Sequence, residues 1–436
     1  MSCHRLLGLV ALDLALGVAT LEQGQFWHIT DHHFDPTYWS EMRSCNDKVP
    51  VRGIYGDYWC DSPWRLVNDS VAAMANVKRD VDFILWTGDN VAHIKNQFLN
   101  QSLNLEITEK ITDALKAEFP GVPVYGIMGN HDWFPANQFP VQQAFLYNAT
   151  AELWRDWIGD NQQIENFKKG GFYTIRTTKG LRIVGLNTVF YYAADKLTTN
   201  LTDPAGQFAW LEEVLQNATN VGEKVMLTAH VPPGIKVPGK VQWFYERFNT
   251  KFLDLVQKYA DIIPGMYFGH DHADGLKLLL KKDGTPGIPM FIAPSVTPWR
   301  YKSGTESDDP HNPAVRLVKY DQKTGEALDF IQYYMNLTES NEANASSWKV
   351  AYDASKAYQV KDLSAASVSM AVKQMSKDKY VLDKYIRFNT VLANGNTTVN
   401  ECDATCRAEY ICSFTHHEGE KFNSCVTGLM KGVLIG

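Results

Sequence analysis

Beyond its first twenty residues, the chain lacks a hydrophobic run long enough to cross a membrane. A spanning helix needs about 20 consecutive, mostly apolar residues, and no later segment approaches that length. The C-terminal stretch VTGLMKGVLIG is too short and contains Lys431. We therefore expect no membrane anchor, neither a spanning helix nor a lipid-anchor tail.

Net positive charge is also missing. The 436 residues include 42 Lys and Arg against 49 Asp and Glu, for a formal net charge of -7. Long nucleic acids bind to basic surfaces that displace counterions from the phosphates. The composition therefore argues against a long nucleic acid as partner. A small phosphate ester held by metal ions is compatible with it.

Cysteine is scarce, with seven in the chain. Cys3 falls within residues 1–20, where Arg5 and the apolar run LLGLVALDLALGVA predict a signal peptide, although Asp13 weakens that run. The other six form an even set, which favours three local disulfides in a secreted protein. A zinc knuckle is the alternative, but the C-terminal spacing lacks C-x2-C pairs. The six are Cys45, Cys60, Cys402, Cys406, Cys412 and Cys425.

Eight N-x-S/T sequons add support for secretion. They begin at Asn68, Asn100, Asn148, Asn200, Asn217, Asn336, Asn344 and Asn396. One sequon arises easily by chance, whereas eight together are typical of an N-glycosylated chain. We expect a secreted, extracellular or lysosomal glycoprotein that is a monomer.

Short β-rich runs alternate with amphipathic helical patterns over most of the chain. The predicted strands are 25–30, 82–87, 122–128, 171–177, 182–187, 224–229, 265–269, 289–293, 315–320 and 329–334. The predicted helices include 64–78, 103–118, 206–217 and 244–259. This alternation favours an α/β fold, a layered β-sandwich flanked by helices.

The pattern changes near residue 337, where the strands are expected to stop. With 45% hydrophobic residues, the chain can bury a sizeable core, and its length favours two structural units. We predict a catalytic domain over 21–336 and a small helical, disulfide-bonded C-terminal domain over 337–436.

Residue types that bind metals follow five of the predicted strands. In chain order the groups are Asp31-His32-His33, Gly88-Asp89-Asn90, Gly129-Asn130-His131-Asp132, Ala229-His230 and Gly269-His270-Asp271-His272. The carboxyl ends of strands form the ligand crevice in open α/β sheets. We therefore expect all five loops to meet at one site.

Imidazole nitrogens and carboxylate oxygens without a thiolate suit zinc, iron or manganese. Two ions about 3.5 to 4 Å apart, bridged by one carboxylate, clamp the attacking and leaving oxygens of a phosphoryl displacement. Asp89 is the expected bridge, and a water shared by the ions the expected nucleophile. His131, beside a metal-bound Asn130 and hydrogen-bonded to Asp132 or another acid, is the expected general acid.

The sequence also predicts the backbone conformation of the segments that carry the ligands. An extended Asp31-His32-His33 segment would direct its first and third side chains to one face. The same alternation applies to His270 and His272. Glycines before Asp89, Asn130 and His270 would let the chain turn sharply. Three other histidines keep the ordinary interpretation of core or surface residues: His28, His32 and His311.

The order D-x-H, GD, GNHD, AH and GHxH resembles the calcineurin-like metallophosphoesterase superfamily. More narrowly, GQFWHITDHHFDPTYW, CDSPW, ILWTGDNVAH, GNHDWFP, AHVPPG, YFGHDH and APSVTP are similar to acid sphingomyelinase-like phosphodiesterases. The resemblance implies one zinc on Asp31, His33, Asp89 and His272, and a second on Asp89, Asn130, His230 and His270. It further implies that His131 is the general acid, that His93 helps to bind phosphate, and that the cysteines pair as Cys45–Cys60, Cys402–Cys406 and Cys412–Cys425.

The resemblance also ranks the substrates. Acid sphingomyelinase carries a saposin domain that loads lipid, and only about two dozen residues precede GQFWHIT here. We therefore expect a soluble, zinc-dependent phosphodiesterase that hydrolyses nucleotides and CDP-choline-type diesters. Sphingomyelin hydrolysis is the alternative, and a catalytically silent extracellular binding protein is a hypothesis of another class. Four aromatic residues are candidates to stack on a base or choline: Trp133, Tyr191, Tyr192 and Trp299.

Overall fold

A computed structural model describes residues 22–41, 43–45, 51–300, 309–394 and 397–433. The predicted signal peptide and the sequon at Asn396 lie outside these ranges. No helix in the described ranges is both long and apolar enough to cross a membrane.

The described residues form strands and helices that alternate as the sequence predicts. The strands are β1 (Gln23–Ile29), β2 (Phe83–Trp86), β3 (Val124–Gly126), β4 (Tyr173–Arg176), β5 (Arg182–Leu186), β6 (Val225–Ala229), β7 (Ile235–Lys236), β8 (Val241–Gln242), β9 (Met266–Phe268), β10 (Gly275–Leu280), β11 (Pro286–Ile292), β12 (Ala314–Asp321), β13 (Ala327–Met335) and β14 (Trp348–Asp353). The helices are α1 (Trp64–Val77), α2 (Gln101–Glu118), α3 (Phe145–Leu153), α4 (Arg155–Ile158), α5 (Asn161–Gly170), α6 (Gln207–Val221), α7 (Glu246–Lys258), α8 (Leu337–Ala343), α9 (Ala354–Ala357), α10 (Ala365–Met375), α11 (Lys379–Asn389), α12 (Thr397–Glu401), α13 (Ala404–Ser413) and α14 (Gly419–Val433).

Within the described ranges the strands build two six-stranded sheets and a small hairpin. The first sheet has the order β14-β13-β12-β1-β2-β3, the second has the order β10-β11-β9-β6-β5-β4, and β7 pairs with β8. Strands β1, β2 and β3 run parallel, as do β5, β6, β9 and β11. The central strands are buried on both faces, which explains their nearly continuous apolar sequences.

The two large sheets pack face to face. Phe26 on β1 contacts Tyr267 on β9 with 5.3 Å between ring centroids. Phe291 on β11 contacts Phe330 on β13 at 6.3 Å. These pairs place the main core between the sheets and confirm the predicted β-sandwich flanked by helices.

The C-terminal part differs from the prediction in one respect. The expectation that strands stop near residue 337 is wrong, because β14 pairs antiparallel with β13 and extends the first sheet. The rest of this part is mainly helical, and the division into domains at residue 337 stays a prediction. All three predicted disulfides are present: Cys45–Cys60, Cys402–Cys406 and Cys412–Cys425.

Hydrogen bonds to Asp274, which also forms a buried ion pair, tie the C-terminal part to a predicted metal loop. The Arg316 guanidinium donates to Asp274 at 2.6 Å, and neither side chain reaches solvent appreciably. Tyr352 on β14 donates to the same carboxylate, and Asn389 on α11 donates to the Asp274 carbonyl at 2.7 Å. Because Asp274 follows His272 closely, these bonds fix the chain just after the last predicted ligand.

Candidate metal centre

The parallel strands of the two sheets bring the five predicted loops to one place. Asp31 N–H donates to the Gly88 carbonyl at 2.8 Å, which links the loops after β1 and β2. Gly269 N–H donates to the His230 carbonyl at 3.0 Å, which links those after β6 and β9. His270 N–H donates to Asp31 Oδ2 at 3.0 Å and joins one sheet's loops to the other's.

One set of side chains surrounds the Oδ1 atom of Asp31. It lies 3.3 Å from His272 Nε2 and 3.6 Å from His33 Nε2. The same His33 nitrogen lies 3.5 Å from Asp89 Oδ2. These are the four residues predicted for the first ion, and all are buried.

A second set lies on the other side of Asp89. His230 Nε2 is 3.2 Å from Asp89 Oδ2 and 3.0 Å from the Asn130 side-chain oxygen. His270 Nδ1 lies 3.3 Å from His230 Nε2. Asp89 Oδ2 therefore belongs to both sets, as expected of a bridging carboxylate. The structure brings all the predicted ligands together, and their role as ligands stays a prediction.

The chemistry of these atoms fits a cation. His33 Nδ1 lies 2.7 Å from the Val91 carbonyl and His230 Nδ1 lies 2.6 Å from the Thr87 carbonyl. A carbonyl only accepts, so each Nδ1 carries a proton, and Nε2 is the atom that would present its lone pair to a cation at the centre. Asp31 Oδ1 is buried without a hydrogen-bond donor. Such a gathering of acceptors is unfavourable unless a positive charge lies among them.

The backbone of the ligand loops corrects the expectation of extended segments. Five of the seven predicted ligands adopt positive φ angles: 52° at Asp31, 41° at His33, 57° at Asp89, 69° at His270 and 55° at His272. This left-handed conformation costs about 1–3 kcal/mol at a non-glycine residue and persists where the surroundings hold it. It is the loop geometry, rather than strand alternation, that directs both members of each pair to the centre.

Two of the predicted glycine positions have a direct steric reason. A Cβ atom on Gly129 would lie 2.2 Å from Asp89 Oδ1, and one on Gly269 would lie 2.0 Å from Thr30 Oγ1. At Gly88 the reason is conformational, because its φ is +89°. The three glycines allow the ligand loops to approach one another closely.

His131 lies at the accessible side of the centre, but its ring does not form the expected hydrogen bond with Asp132. Asp132 accepts backbone N–H bonds from Asn90 at 2.6 Å, Gly129 at 2.7 Å and Asp89 at 3.0 Å, and none from the His131 ring. The expected His131–Asp132 hydrogen bond is therefore wrong: this carboxylate holds the loops together. The half-buried His131 instead contacts His93, with 4.3 Å between ring centroids.

His93 is positioned by a residue to which the sequence assigned no role. Asp61 accepts from the His93 backbone N–H at 2.6 Å and lies 3.0 Å from its ring Nδ1. The ring stacks on His33 at 4.1 Å. A His93 nitrogen also lies within 4.8 Å of donor atoms of His33 and His272, so His93 is a further candidate ligand of the first set.

Two pKa shifts accompany this arrangement. Burial alone would raise the pKa of Asp61, but attraction to His93 and the bonds from it bring that pKa to about 2. Asp61 is therefore a carboxylate over the whole ordinary pH range. Burial, followed by repulsion from His93, holds the pKa of His131 well below its usual value.

The aromatic candidates divide into two pairs. Trp133 and Tyr191 are buried in the core, where they pack against Tyr147 and Phe208 respectively, so the structure does not support stacking on a ligand. Tyr192 and Trp299 are half-buried and border the centre. The Tyr192 ring lies 5.0 Å from His270, and the Trp299 ring lies 4.4 Å from His272.

The three other histidines are core or partly exposed residues, as expected, and one of them also contacts a ligand loop. His28 and His32 are fully buried, and neither ring nitrogen of His32 has a hydrogen-bond partner. His311 is half-buried, and its Nδ1 lies 3.0 Å from the carbonyl of His272. His311 therefore supports the loop that carries a predicted ligand.

Family models match almost the whole described chain. The model for calcineurin-like phosphoesterases matches residues 24–274, which contain every predicted ligand. The model described as the acid sphingomyelin phosphodiesterase C-terminal region matches residues 286–431. The chain belongs to the calcineurin-like phosphoesterase family, in its acid sphingomyelinase-like branch.

Individual relatives can be aligned with this chain over nearly their full lengths. The chain is 38% identical to acid sphingomyelinase-like phosphodiesterase 3b of Mus musculus, over 97% of this chain and 94% of the relative. It is 36% identical to cyclic GMP-AMP phosphodiesterase SMPDL3A of Homo sapiens, over 93% and 90%. It is 34% identical to sphingomyelinase phosphodiesterase C of Dictyostelium discoideum, over 93% and 93%. The chain is accordingly a phosphodiester hydrolase of a metal-dependent family.

Proposed function

We propose that this protein is a secreted, zinc-dependent phosphodiesterase that hydrolyses small diesters such as nucleotides and CDP-choline-type compounds. The observation that carries the proposal is the pair of donor sets that share Asp89 Oδ2. His33 Nε2 and His230 Nε2 approach this oxygen to 3.5 and 3.2 Å. Asp89 would therefore be a ligand to both ions.

The residues present supply a complete set of roles. Asp31, His33, Asp89 and His272 would hold one ion, and Asp89, Asn130, His230 and His270 the other. When bound, the pair of ions supplies Lewis-acid activation of water and charge stabilisation of the phosphoryl group. His131, protonated when the negatively charged diester lies beside it, would give this proton to the leaving oxygen. His93, fixed by Asp61, would bind the phosphate. Imidazole and carboxylate donors favour zinc without excluding iron or manganese.

Two relatives bear on the substrate. One is named for a cyclic dinucleotide, cyclic GMP-AMP, and another for sphingomyelin. We rank nucleotides first, because half-exposed aromatic rings border the centre and offer flat surfaces to a base. Sphingomyelin hydrolysis remains the second candidate function, with phosphocholine as its product.

Secretion and glycosylation complete the proposal. Five of the described sequon asparagines are exposed: Asn68, Asn100, Asn200, Asn217 and Asn344. Asn148 and Asn336 are half-buried. Accessible sequons and disulfides are typical of proteins that pass through the secretory pathway. Mass spectrometry before and after glycosidase treatment of the secreted protein would test this part, and an unchanged mass would contradict it.

The decisive experiment on the chemistry compares His131→Ala with the parent. We expect the variant to keep its bound metal and to lose at least about 100-fold in turnover of bis(p-nitrophenyl) phosphate, since general acid catalysis contributes on this scale. Metal content, measured on the same samples, separates loss of the acid from loss of the ions. Equal turnover in variant and parent would remove His131 from this role.

A competition experiment tests the substrate class. The same preparation is offered detergent-dispersed sphingomyelin and a cytidine diphosphate ester at matched concentrations. We expect the higher kcat/KM for the nucleotide. Faster release of phosphocholine from the lipid would reverse the ranking and leave the metal chemistry unaffected.

A further inference from the structure

A second tryptophan, outside the sequence predictions, borders the second donor set. Trp243 follows the β7–β8 hairpin, and its half-buried indole packs edge-on against His270, with 4.6 Å between ring centroids and 80° between ring planes. Tyr192 lies 5.8 Å from Trp243 and 5.0 Å from His270. Two aromatic side chains therefore form one wall beside His270.

Trp243 is held in place by the loop that carries the predicted ligands. Its Nε1–H donates to Asp271 Oδ1 at 2.6 Å, and Asp271 stands between His270 and His272 in the chain. Its carbonyl accepts from Ala193 N–H at 2.7 Å, which fixes it to the segment of Tyr192. A side chain that is already fixed in one conformation before the ligand binds loses little conformational entropy on binding.

The first donor set has a different aromatic neighbour. Trp299 lies 4.4 Å from His272 and 4.7 Å from His93, and His93 in turn contacts His131. A leaving oxygen that takes a proton from His131 is therefore on the Trp299 side. The ester arm that stays on phosphorus would then extend toward Trp243 and Tyr192.

We propose that Trp243, positioned by Asp271, and Tyr192 bind the retained arm of the diester, and that this arm carries a planar group such as a nucleobase. The inference rests on the proposed phosphodiesterase function and names its substrate class. Bases stack on aromatic side chains with little dependence on their identity. The Lys236 ammonium already lies 5.5 Å from the Trp243 ring centroid, so the cation-binding capacity of this ring is engaged. A neutral base therefore suits the wall better than a choline.

Three substrates with one leaving group test this directly. Thymidine 5′-(p-nitrophenyl phosphate), methyl p-nitrophenyl phosphate and p-nitrophenyl phosphorylcholine all release p-nitrophenolate and differ only in the retained arm. The readout is the ratio of kcat/KM for the thymidine ester to that for the methyl ester. Because both substrates have the same leaving group, the ratio isolates binding of the retained arm.

Trp243→Ala should lower this ratio about tenfold, mainly through KM, because one stacking contact is lost. Trp243→Phe keeps a ring without the Nε1–H and should lose less, and Asp271→Ala should lower the ratio through a loosened indole. Trp348→Ala is the matched control: its half-buried indole also donates to a carboxylate, Asp69 at 2.8 Å, but on the edge strand β14. It should leave the ratio unchanged.

Inhibition by products gives a second readout. The inhibition constant of thymidine 5′-monophosphate should rise about tenfold in Trp243→Ala, whereas that of inorganic phosphate should change little. A ratio within about twofold of the parent in Trp243→Ala, or in Trp243→Leu if the alanine variant loses metal, would overturn the inference, because neither variant keeps an aromatic ring. A larger loss with the phosphorylcholine ester than with the thymidine ester would also overturn it. A parent that cleaves none of the three esters would instead contradict the proposed function.

Discussion

Asp61 accepts from the backbone N–H of His93 at 2.6 Å and lies 3.0 Å from the Nδ1 of the same residue. A carboxylate accepts from a ring N–H, so Nδ1 carries the proton and Nε2 is left to face the centre. Asp61 is thus a positioning residue: it acts through His93 and touches no reacting atom itself.

Asp61→Asn should therefore lower kcat by about 10- to 100-fold, the usual effect of removing a partner that orients an imidazole. The amide can still accept from the backbone N–H of His93. It no longer places a negative charge beside the His93 ring. Steady-state kinetics with bis(p-nitrophenyl) phosphate would measure the loss. Asp321→Asn is a suitable control, because Asp321 accepts backbone N–H bonds from Lys323 and Thr324 in a turn after β12. Similar kinetics in the two variants would contradict the positioning role.

The shared position of Asp89 leads to a prediction on metal content. Asp89→Asn weakens both donor sets at once, whereas Asn130→Ala removes a donor from the second set only. We expect the first variant to lose most of both ions and the second to retain about one ion per chain. Elemental analysis after gel filtration would measure this, with the parent and Asp321→Asn for comparison. Two ions retained in Asp89→Asn would show that this carboxylate is not the bridge.

Removal of the ions should also destabilise the fold. Ligands that bind only the folded chain stabilise it by about 3 kcal/mol at 100 times their dissociation constant. Dialysis against a chelator should therefore lower the melting temperature by several degrees, and added zinc should restore it. A melting temperature that is the same with and without chelator would argue against tightly held structural ions.

The sequence predicted the ligand loops well because one topological rule covers them all. Asp31, Asp89, Asn130, His230 and His270 each follow a short apolar run, and parallel strands bring their carboxyl ends to one edge. The backbone geometry within the loops could not be predicted from the sequence. The positive φ angles at Asp31 and His272 depend on contacts between loops, such as Asp31 N–H to the Gly88 carbonyl at 2.8 Å, that no local pattern records.

The missed residues lie outside any regular pattern. Asp61 contacts His93 from 32 residues away in sequence, and its only signal is its place after the disulfide-bonded Cys60. Trp243 follows a two-residue strand, too short to show a period. β14 was missed because WKVAYD stands within a stretch of helix-forming sequence, where pairing with β13 overrides local propensity.

The disulfides should differ in their effect on stability. In the chain-entropy model a crosslink stabilises by limiting the unfolded chain, about 3 kcal/mol for a 15-residue loop and less for a shorter one. Cys45 and Cys60 are separated by 15 residues, and Cys402 and Cys406 by 4. Replacing the first pair by serine should therefore lower the free energy of unfolding more than replacing the second. Denaturant titration of the two double variants would measure the order, and a reversed order would contradict this prediction.

Asp195 provides a pH-dependent contribution to stability. Its buried carboxyl accepts backbone N–H bonds from Leu197 at 3.0 Å and Phe139 at 3.3 Å, and Lys196 and Tyr147 are the titratable groups nearby. Burial outweighs these bonds and the attraction of Lys196, and raises the pKa of Asp195 from 3.8 to about 7.

The folded chain therefore holds this proton more tightly than the unfolded chain does, so stability from this group is lost as the pH rises from about 4 to about 7. Asp195→Asn cannot ionise and should remove that dependence. We expect the melting temperature of the parent to fall more than that of the variant between about pH 4 and about pH 8. Thermal denaturation at both pH values, with Asp321→Asn as the control for a carboxylate already stabilised by its turn, would measure the difference. Parallel pH profiles for the parent and Asp195→Asn would show that Asp195 is ionised in the folded protein throughout.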